Sequence, residues 1–110
     1  MSRTGESWPE ARAFARVEYP SHLRPYLQVA GETCEVVDCS EQGLRYGSAV
    51  DPRPVGSMVN GRIRFRSGVE VAVRGTVVRV QGGEVALSLE PGHGIPAEVL
   101  AEEETVIRGR

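Results

Sequence analysis

The chain of 110 residues is long enough for one domain but short for two independent hydrophobic cores. Hydrophobic residues make up 40% and charged residues 25% of the sequence, close to globular averages, so neither a disordered tail nor a membrane protein is expected. The formal net charge of -2 argues against a protein that coats nucleic acid through bulk positive charge. Because the chain lacks about eighteen consecutive apolar residues and its first residues lack a secretion signal, we expect a cytoplasmic protein without membrane insertion.

Residues 1–15 are predicted to form a flexible N-terminal arm, and residues 16–110 a single β-domain with a terminal helix. After the arm, apolar residues recur with a period of two, which is typical of half-buried strands. The alternating positions are Val17 and Tyr19; Leu23, Leu27 and Val29; Cys34 and Val36; Ile63 and Phe65; Val71 and Val73; and Val85, Leu87 and Leu89. Short strands at such regular spacing favour a closed or nearly closed antiparallel barrel.

The segments between these strands carry turn residues. Three dipeptides predict tight hairpins, because glycine supplies the positive φ that such turns require. They are Ala30-Gly31, Ser67-Gly68 and Gly82-Gly83. Between Val71 and Val80 the apolar residues change phase, which predicts a bulge or bend near Gly75. Residues 49–56 contain two prolines that cannot donate ladder hydrogen bonds, so they are predicted to form a connecting loop.

The tail changes its period at Pro96, where apolar residues begin to recur at spacings of three, four and seven. This pattern predicts one amphipathic helix over about residues 96–108 that caps or flanks the barrel. Its apolar positions are Val99, Leu100, Val106 and Ile107. Glu103 falls on the same stripe, so it either lies at the margin or accepts hydrogen bonds from an arginine. We favour the margin.

The two cysteines, Cys34 and Cys39, stand five positions apart on one predicted strand. An unbroken strand would place them on opposite faces about 16 Å apart, which excludes a disulfide between them. Neither these cysteines nor His22 and His93 have the spacing of zinc ligands. We therefore expect two small buried or half-buried thiols in a reducing compartment, and no metal site.

A catalytic constellation is not predicted. Asp38 and Ser40 share one face at a strand end, but nothing in the sequence orients His22 towards them, and His22 is expected in a surface loop. The Gly92-His93-Gly94 segment has none of the spacings of a phosphate-binding loop and is interpreted as a flexible entry to the helix. The protein is therefore not expected to be an enzyme.

Two short patterns carry a more specific signal together than either does alone. Arg12 and Arg16 form an RxxxR pattern just before the first strand, and Asp38, Ser40 and Gly43 form a DxSxxG pattern at the end of a later strand. In this order and context they resemble the PilZ domain family, whose motifs are RxxxR and [D/N]xSxxG. The resemblance extends to the Gly-x-Val-Val-Arg-Val strand at 75–80 and to a Gly-Ile-Pro segment that opens the glutamate-rich terminal helix.

The resemblance implies a six-stranded antiparallel β-barrel with a C-terminal helix that binds the second messenger cyclic di-GMP. Arg12 and Arg16 are suited to its phosphates and to the O6 and N7 acceptors of its guanines. Asp38 is suited to accept the N1–H and N2–H donors of a guanine, or to hold an arginine. Ser40 and Gly43 complete the implied site, with Ser40 as a further polar contact and Gly43 allowing close backbone approach. The full implied ligand set is Arg12, Arg16, Asp38, Ser40 and Gly43, with Arg79 as an additional contact to a base or phosphate.

The function that follows is a receptor that needs no cofactor and signals through a changed contact with an effector protein that the sequence does not identify. It is expected to be a monomer or a weak homodimer. The alternative within the family is a ligand-independent adaptor for pilus or secretion machinery. A third hypothesis, an oligonucleotide-binding barrel, uses Arg62, Arg64 and Arg66 on one strand face. A solvated strand face is favoured there, and neither DNA nor RNA is expected, because aromatic residues make up 5% of the chain.

Overall fold

The computed structural model of the protein describes residues 16–48 and 53–109. The elements in chain order are β1 (Val17–Glu18), a 3-10 helix (Ser21–Leu23), β2 (Tyr26–Val29), β3 (Glu32–Cys39), β4 (Gly43–Gly47), β5 (Met58–Arg64), β6 (Glu70–Gln81), β7 (Glu84–Leu89) and α1 (Ala97–Arg108). The predicted arm, with Arg12, and residues 49–52 of the predicted loop lie outside the described residues.

The described strands form one antiparallel sheet that closes on itself. Neighbouring strands follow the order β3-β2-β5-β6-β7-β4, and β4 pairs back onto β3, which closes a six-stranded barrel. The short strand β1 is not one of these six strands, and it pairs with β3. The predicted six-stranded antiparallel barrel with a C-terminal helix is therefore confirmed.

The period-two residues fill the interior of the barrel. Phe65, Leu27 and Ile63 are the largest of the fully buried side chains, and buried valines from β3, β5, β6 and β7 complete the layer. Each such side chain contributes about 1.5–3 kcal/mol when it is removed from water. The prediction that Leu23 continues the second strand is wrong. Leu23 ends the 3-10 helix, and Pro25, which lacks an N–H, precedes the first ladder residue of β2 at Tyr26.

The glycine-containing dipeptides form the predicted turns. Ala30 and Gly31 have φ values of 51° and 82°, and Gly82 and Gly83 have φ values of 60° and 80°. These angles make two-residue hairpins of the type that matches strand twist. At the third turn Gly68 has a φ of 98°, within a longer connection between Arg64 and Glu70.

The predicted irregularity in β6 exists, but it lies three residues beyond Gly75. The register against β7 shifts between Val77 and Arg79, so that Val78 is the extra residue, 52% exposed. Gly75 has a different role, because a Cβ there would lie 2.5 Å from the carbonyl oxygen of Ser88 on β7. The predicted phase change in β6 is thus confirmed, but it lies at Val78 and not near Gly75.

The terminal helix α1 matches its predicted range, with Pro96 at the N-cap position. Leu100 is buried, and Val99 and Ile107 pack against the core. The prediction that Glu103 lies at the margin is wrong, since its side chain is 6% exposed and its Oε1 accepts a 2.7 Å hydrogen bond from the Tyr19 hydroxyl. A donor supplied by a residue 84 positions earlier leaves no trace in the helical pattern.

The buried Glu103 predicts a pH-dependent stability. Burial raises its pKa, the Tyr19 hydrogen bond opposes this, and the charge of Glu102 adds to the rise. The folded protein therefore binds more protons than the unfolded chain above about pH 4.3, and its stability falls as the pH rises through the raised pKa. Glu103→Gln is expected to increase the melting temperature at about pH 8 and to change it little at about pH 4.

Thermal unfolding at both pH values measures this effect, with Glu98→Gln as the control, because Glu98 is an exposed carboxylate of the same helix that does not contribute to the raised pKa of Glu103. The control is expected to show no such pH dependence. An equal effect of Glu103→Gln at the two pH values would contradict the assignment.

Candidate functional site

A β-bulge at Val37 determines where the side chain of Asp38 lies. Val36 pairs with Tyr46 and Asp38 with Arg45, so Val37 is an extra residue in β3. Because Tyr46 belongs to the core and Arg45 does not, Asp38 shares the outer face of the barrel with Arg45. An unbroken strand would have kept Asp38 in the phase of the core residue Val36.

The same bulge corrects the prediction for the cysteines. Cys39 pairs with the core residue Leu44 and lies inside the barrel, as Cys34 does, so the two are not on opposite faces. Both thiols are free and buried, as expected. Burial raises the pKa of Cys34 to about 11 and that of Cys39 to about 12, so both stay protonated at neutral pH.

The Asp38 carboxylate has no exposed surface and is held by two arginines. Its Oδ1 accepts a 2.7 Å hydrogen bond from Arg16 Nη1, and its Oδ2 accepts hydrogen bonds from Arg45 Nε at 3.0 Å and from Arg45 Nη2. The Arg16 side chain is 54% exposed and that of Arg45 37% exposed. The hydrogen bond to Asp38 raises the pKa of Arg45. A buried anion thus lies beneath two guanidinium groups that still face solvent.

The short strand β1 places Arg16 over this carboxylate. Val17 pairs with Cys39 and Glu18 with Asp38, and the Tyr19 amide donates to the Val37 carbonyl at 3.1 Å. Arg16 therefore stands where the chain enters the barrel, at the edge of the bulged end of β3. The RxxxR arginine that the structure describes and the aspartate of the second motif are in direct contact.

The turn after Asp38 is closed by its own backbone. The Ser40 amide donates to the Gly43 carbonyl at 2.8 Å, and Ser40 is 8% exposed. A Cβ at Gly43 would lie 3.3 Å from the Ser40 hydroxyl oxygen, so a side chain there would crowd the serine. The structure thus brings Arg16, Asp38, Ser40 and Gly43 to one end of the β3-β4 hairpin.

A cavity of about 340 Å³ adjoins this group on the outer face of the barrel. Arg45 and Arg79 both pair with Ala86, from the strands on either side of β7, and both line the cavity. Gln81 and Glu84 contribute further polar side chains, and Arg45 Nη1 lies 3.4 Å from Glu84 Oε1. The bulge at Val78 brings Arg79 into line with Ala86. The small Ala86 side chain leaves room between two cations.

Arg45 was missed by the sequence analysis, although it holds Asp38 and lines the cavity. The sequence does indicate that Arg45 points outward on a strand, because it stands between two apolar residues, Leu44 and Tyr46. Which acid it would meet depends on the register between β3 and β4. His22 is exposed in the 3-10 helix, in keeping with its expected surface position.

The arginines of β5 have acidic partners. Arg62 and Arg64 lie 3.7 Å and 2.9 Å from carboxylate oxygens of Glu70, and their side chains are 62% and 69% exposed. A shared carboxylate reduces the positive charge of this face, which favours the solvated strand over a nucleic-acid surface.

Two further findings bear on the kind of protein. Within residues 16–48 and 53–109, no helix combines the length and apolar character needed to cross a bilayer. A comparison with curated protein sequences finds no match.

A scan against protein families matches the PilZ domain over residues 10–102, more than four fifths of the chain. The match begins before Arg12, includes the whole described barrel and ends within α1. It therefore contains both motifs and the outer face on which Arg16 and Asp38 meet. From this match, and from the closed barrel on which Arg16 and Asp38 meet, the chain belongs to the PilZ domain family.

Proposed function

We propose that the protein is a receptor for cyclic di-GMP, the dinucleotide for which PilZ domains are known. The main observation in support of this proposal is the fully buried Asp38 carboxylate, which lies beneath two partly exposed arginines. A cavity of about 340 Å³ with a further arginine lies beside it. This arrangement combines a hydrogen-bond acceptor for a guanine edge with cations for phosphate within one surface.

The ligand is an anion with two phosphates and two guanines. A guanidinium group donates two parallel hydrogen bonds to phosphate oxygens or to O6 and N7 of guanine. Arg16 has half of its side chain in solvent, and Arg12 stands four residues earlier in the sequence. We therefore assign these arginines to the phosphates and guanine edges.

Asp38 can exchange partners without losing all of its donors. When Arg16 turns to the ligand, Oδ1 is released and can accept N1–H and N2–H from a guanine, while Arg45 continues to hold Oδ2. The buried carboxylate is never left unpaired, which would be costly. Ser40, next to the exchanged group in the motif turn, adds a polar contact.

The cavity between Arg45 and Arg79 accommodates the second part of the ligand. Ala86 provides a small apolar floor, and a guanidinium plane on either side can stack on a base or contact phosphate. Glu84 competes for Arg45 and must give way to an anion.

The output of such a receptor is a changed contact with an effector protein, not a reaction. PilZ domains are binding and adaptor modules. Ligand contacts with Arg12 and Arg16 redistribute charge where the chain enters the barrel. We assign the receptor to the cytoplasm, as a monomer or a weak homodimer.

Isothermal titration with cyclic di-GMP is expected to show saturable binding. Arg12→Ala and Arg16→Ala should each weaken binding by about 1.5–3 kcal/mol, the value of hydrogen bonds to charged groups, with the thermal transition retained. GTP is the control ligand and Arg62→Ala the matched control variant, because Arg62 is an exposed, paired arginine on another face. A folded wild-type protein that does not bind would contradict the receptor and favour the ligand-independent adaptor.

Asp38→Asn is expected to impair both binding and stability. It leaves Arg16 and Arg45 facing a neutral amide in a buried position, at a cost of about 1–3 kcal/mol in the free energy of unfolding. Chemical denaturation measures this cost, and Glu70→Gln is the control, since its exposed pairs contribute about 0–1 kcal/mol. Equal losses in the two variants would refute the structural role of Asp38.

Arg79→Ala is expected to weaken binding of cyclic di-GMP by about tenfold, the value of one charge-assisted contact, and to leave the melting temperature unchanged. Arg74→Ala is the matched control, because Arg74 lies on the same strand and pairs with Glu90 at 3.6 Å. Titration of both variants decides the matter: if Arg79→Ala binds as the wild type does, the cavity is not part of the site.

A further inference from the structure

The helix α1 is attached to both motif segments of the candidate site. One attachment runs from its middle to the residues that follow Arg16, and the other from its preceding loop to the turn that follows Asp38. Neither attachment belongs to the ligand contacts assigned above.

The first attachment is the buried hydrogen bond from the Tyr19 hydroxyl to Glu103 Oε1, at 2.7 Å. The Tyr19 hydroxyl also lies 3.8 Å from Cys39 Sγ, inside the barrel end. Burial, foremost, raises the pKa of Tyr19, so the hydroxyl remains a donor at physiological pH. Tyr19 is three residues from Arg16, and the two-residue strand β1 separates them. The bond that fixes Tyr19 therefore also restricts the position of Arg16, the last residue of the RxxxR motif.

The second attachment joins the loop before α1 to the DxSxxG turn. The Ile95 amide donates to the Glu41 carbonyl at 3.3 Å. The same turn is also held to the end of β7, where the Leu89 amide donates to the Gln42 carbonyl at 2.9 Å. Gly94 packs so closely on Glu41 that a Cβ there would overlap the Glu41 carbonyl oxygen. The motif turn is thus in direct contact with the segment that leads into α1.

The helix itself is lightly anchored. Leu100 and Glu103 are its buried residues, Val99 and Ile107 are partly buried, and Val106 is 47% exposed. A short helix with so little buried surface depends on its tertiary contacts for stability. Opening of α1 is therefore expected to respond to small changes in its two attachments.

We propose that Tyr19 and Glu103 are positioning residues that couple α1 to the ligand site, so that ligand binding stabilises α1 and loss of the Tyr19–Glu103 bond weakens ligand binding. This inference rests on the proposed cyclic di-GMP site. Contacts made by Arg16 and by the motif turn restrict β1 and the loop before α1, and these are the segments that hold the helix. By linkage, the coupling acts equally in the other direction.

The test combines titration with cyclic di-GMP and hydrogen exchange of the α1 amides, with and without ligand, on the full chain. In the wild type, ligand is expected to slow exchange in α1 severalfold. Tyr19→Phe and Glu103→Leu are expected to weaken binding by about fivefold or more and to abolish most of this protection, although neither residue is assigned a ligand contact.

Conservative and matched variants separate coupling from general loss of structure. Glu103→Gln retains an acceptor oxygen for Tyr19 and is expected to keep near wild-type affinity and protection. Tyr26→Phe removes the hydroxyl of an exposed tyrosine elsewhere, and Glu102→Gln neutralises the neighbouring carboxylate; both should behave as wild type. Thermal unfolding verifies that every variant is folded under the conditions of titration.

The outcomes are distinguishable. Binding to the wild type with unchanged exchange in α1, or equal affinity in Tyr19→Phe, overturns the coupling and leaves the receptor in place. Absence of binding to a folded wild-type protein overturns the receptor and the coupling together. Reduced affinity in Tyr19→Phe and Glu103→Leu, with near wild-type affinity in Glu103→Gln, supports both.

Discussion

The buried carboxylate of Asp38 is the constraint on which the site depends. A fully buried anion is tolerable only when donors satisfy both of its oxygens, and here those donors come from Arg16 and Arg45. This requirement ties the chain before β1, the bulged end of β3 and the neighbouring strand β4 to one point. The same two arginines remain half exposed, so the group that stabilises this end of the barrel is also the group that an anionic ligand meets first.

The bulges in β3 and β6 have the same effect, which is to turn a polar side chain from the inner to the outer face of the barrel. The extra residue Val37 moves Asp38 from the inner to the outer face, and the extra residue Val78 aligns Arg79 with the outward-facing Ala86. Without them the alternation of a regular strand would place both polar side chains in the phase of the core. Polar groups from β3, β4 and β6 therefore reach one outer surface, while Val36, Cys39 and Val77 beside the bulges stay inside.

The terminal helix is in contact with both motif segments. Through Glu103 it meets the residue that follows β1, and through the loop before it the turn that follows Asp38. In a small barrel, ligand binding at the surface has few ways to change the conformation of another element, because the closed ladder of hydrogen bonds resists deformation. The short elements β1 and α1 are the parts expected to have a local stability low enough to respond.

The sequence by itself determined the strands other than β4, through the period of two, the hairpins at Ala30-Gly31 and Gly82-Gly83, and the helix after Pro96. The two motifs, taken together, also determined the family. Those features depend on residues close together in the chain. Tertiary structure alone decided that Cys39 lies inside, that Arg45 holds Asp38, and that Glu103 is buried against Tyr19. Each of these depends on strand register or on a contact between distant segments, and a register shift of one residue reverses every side chain beyond it.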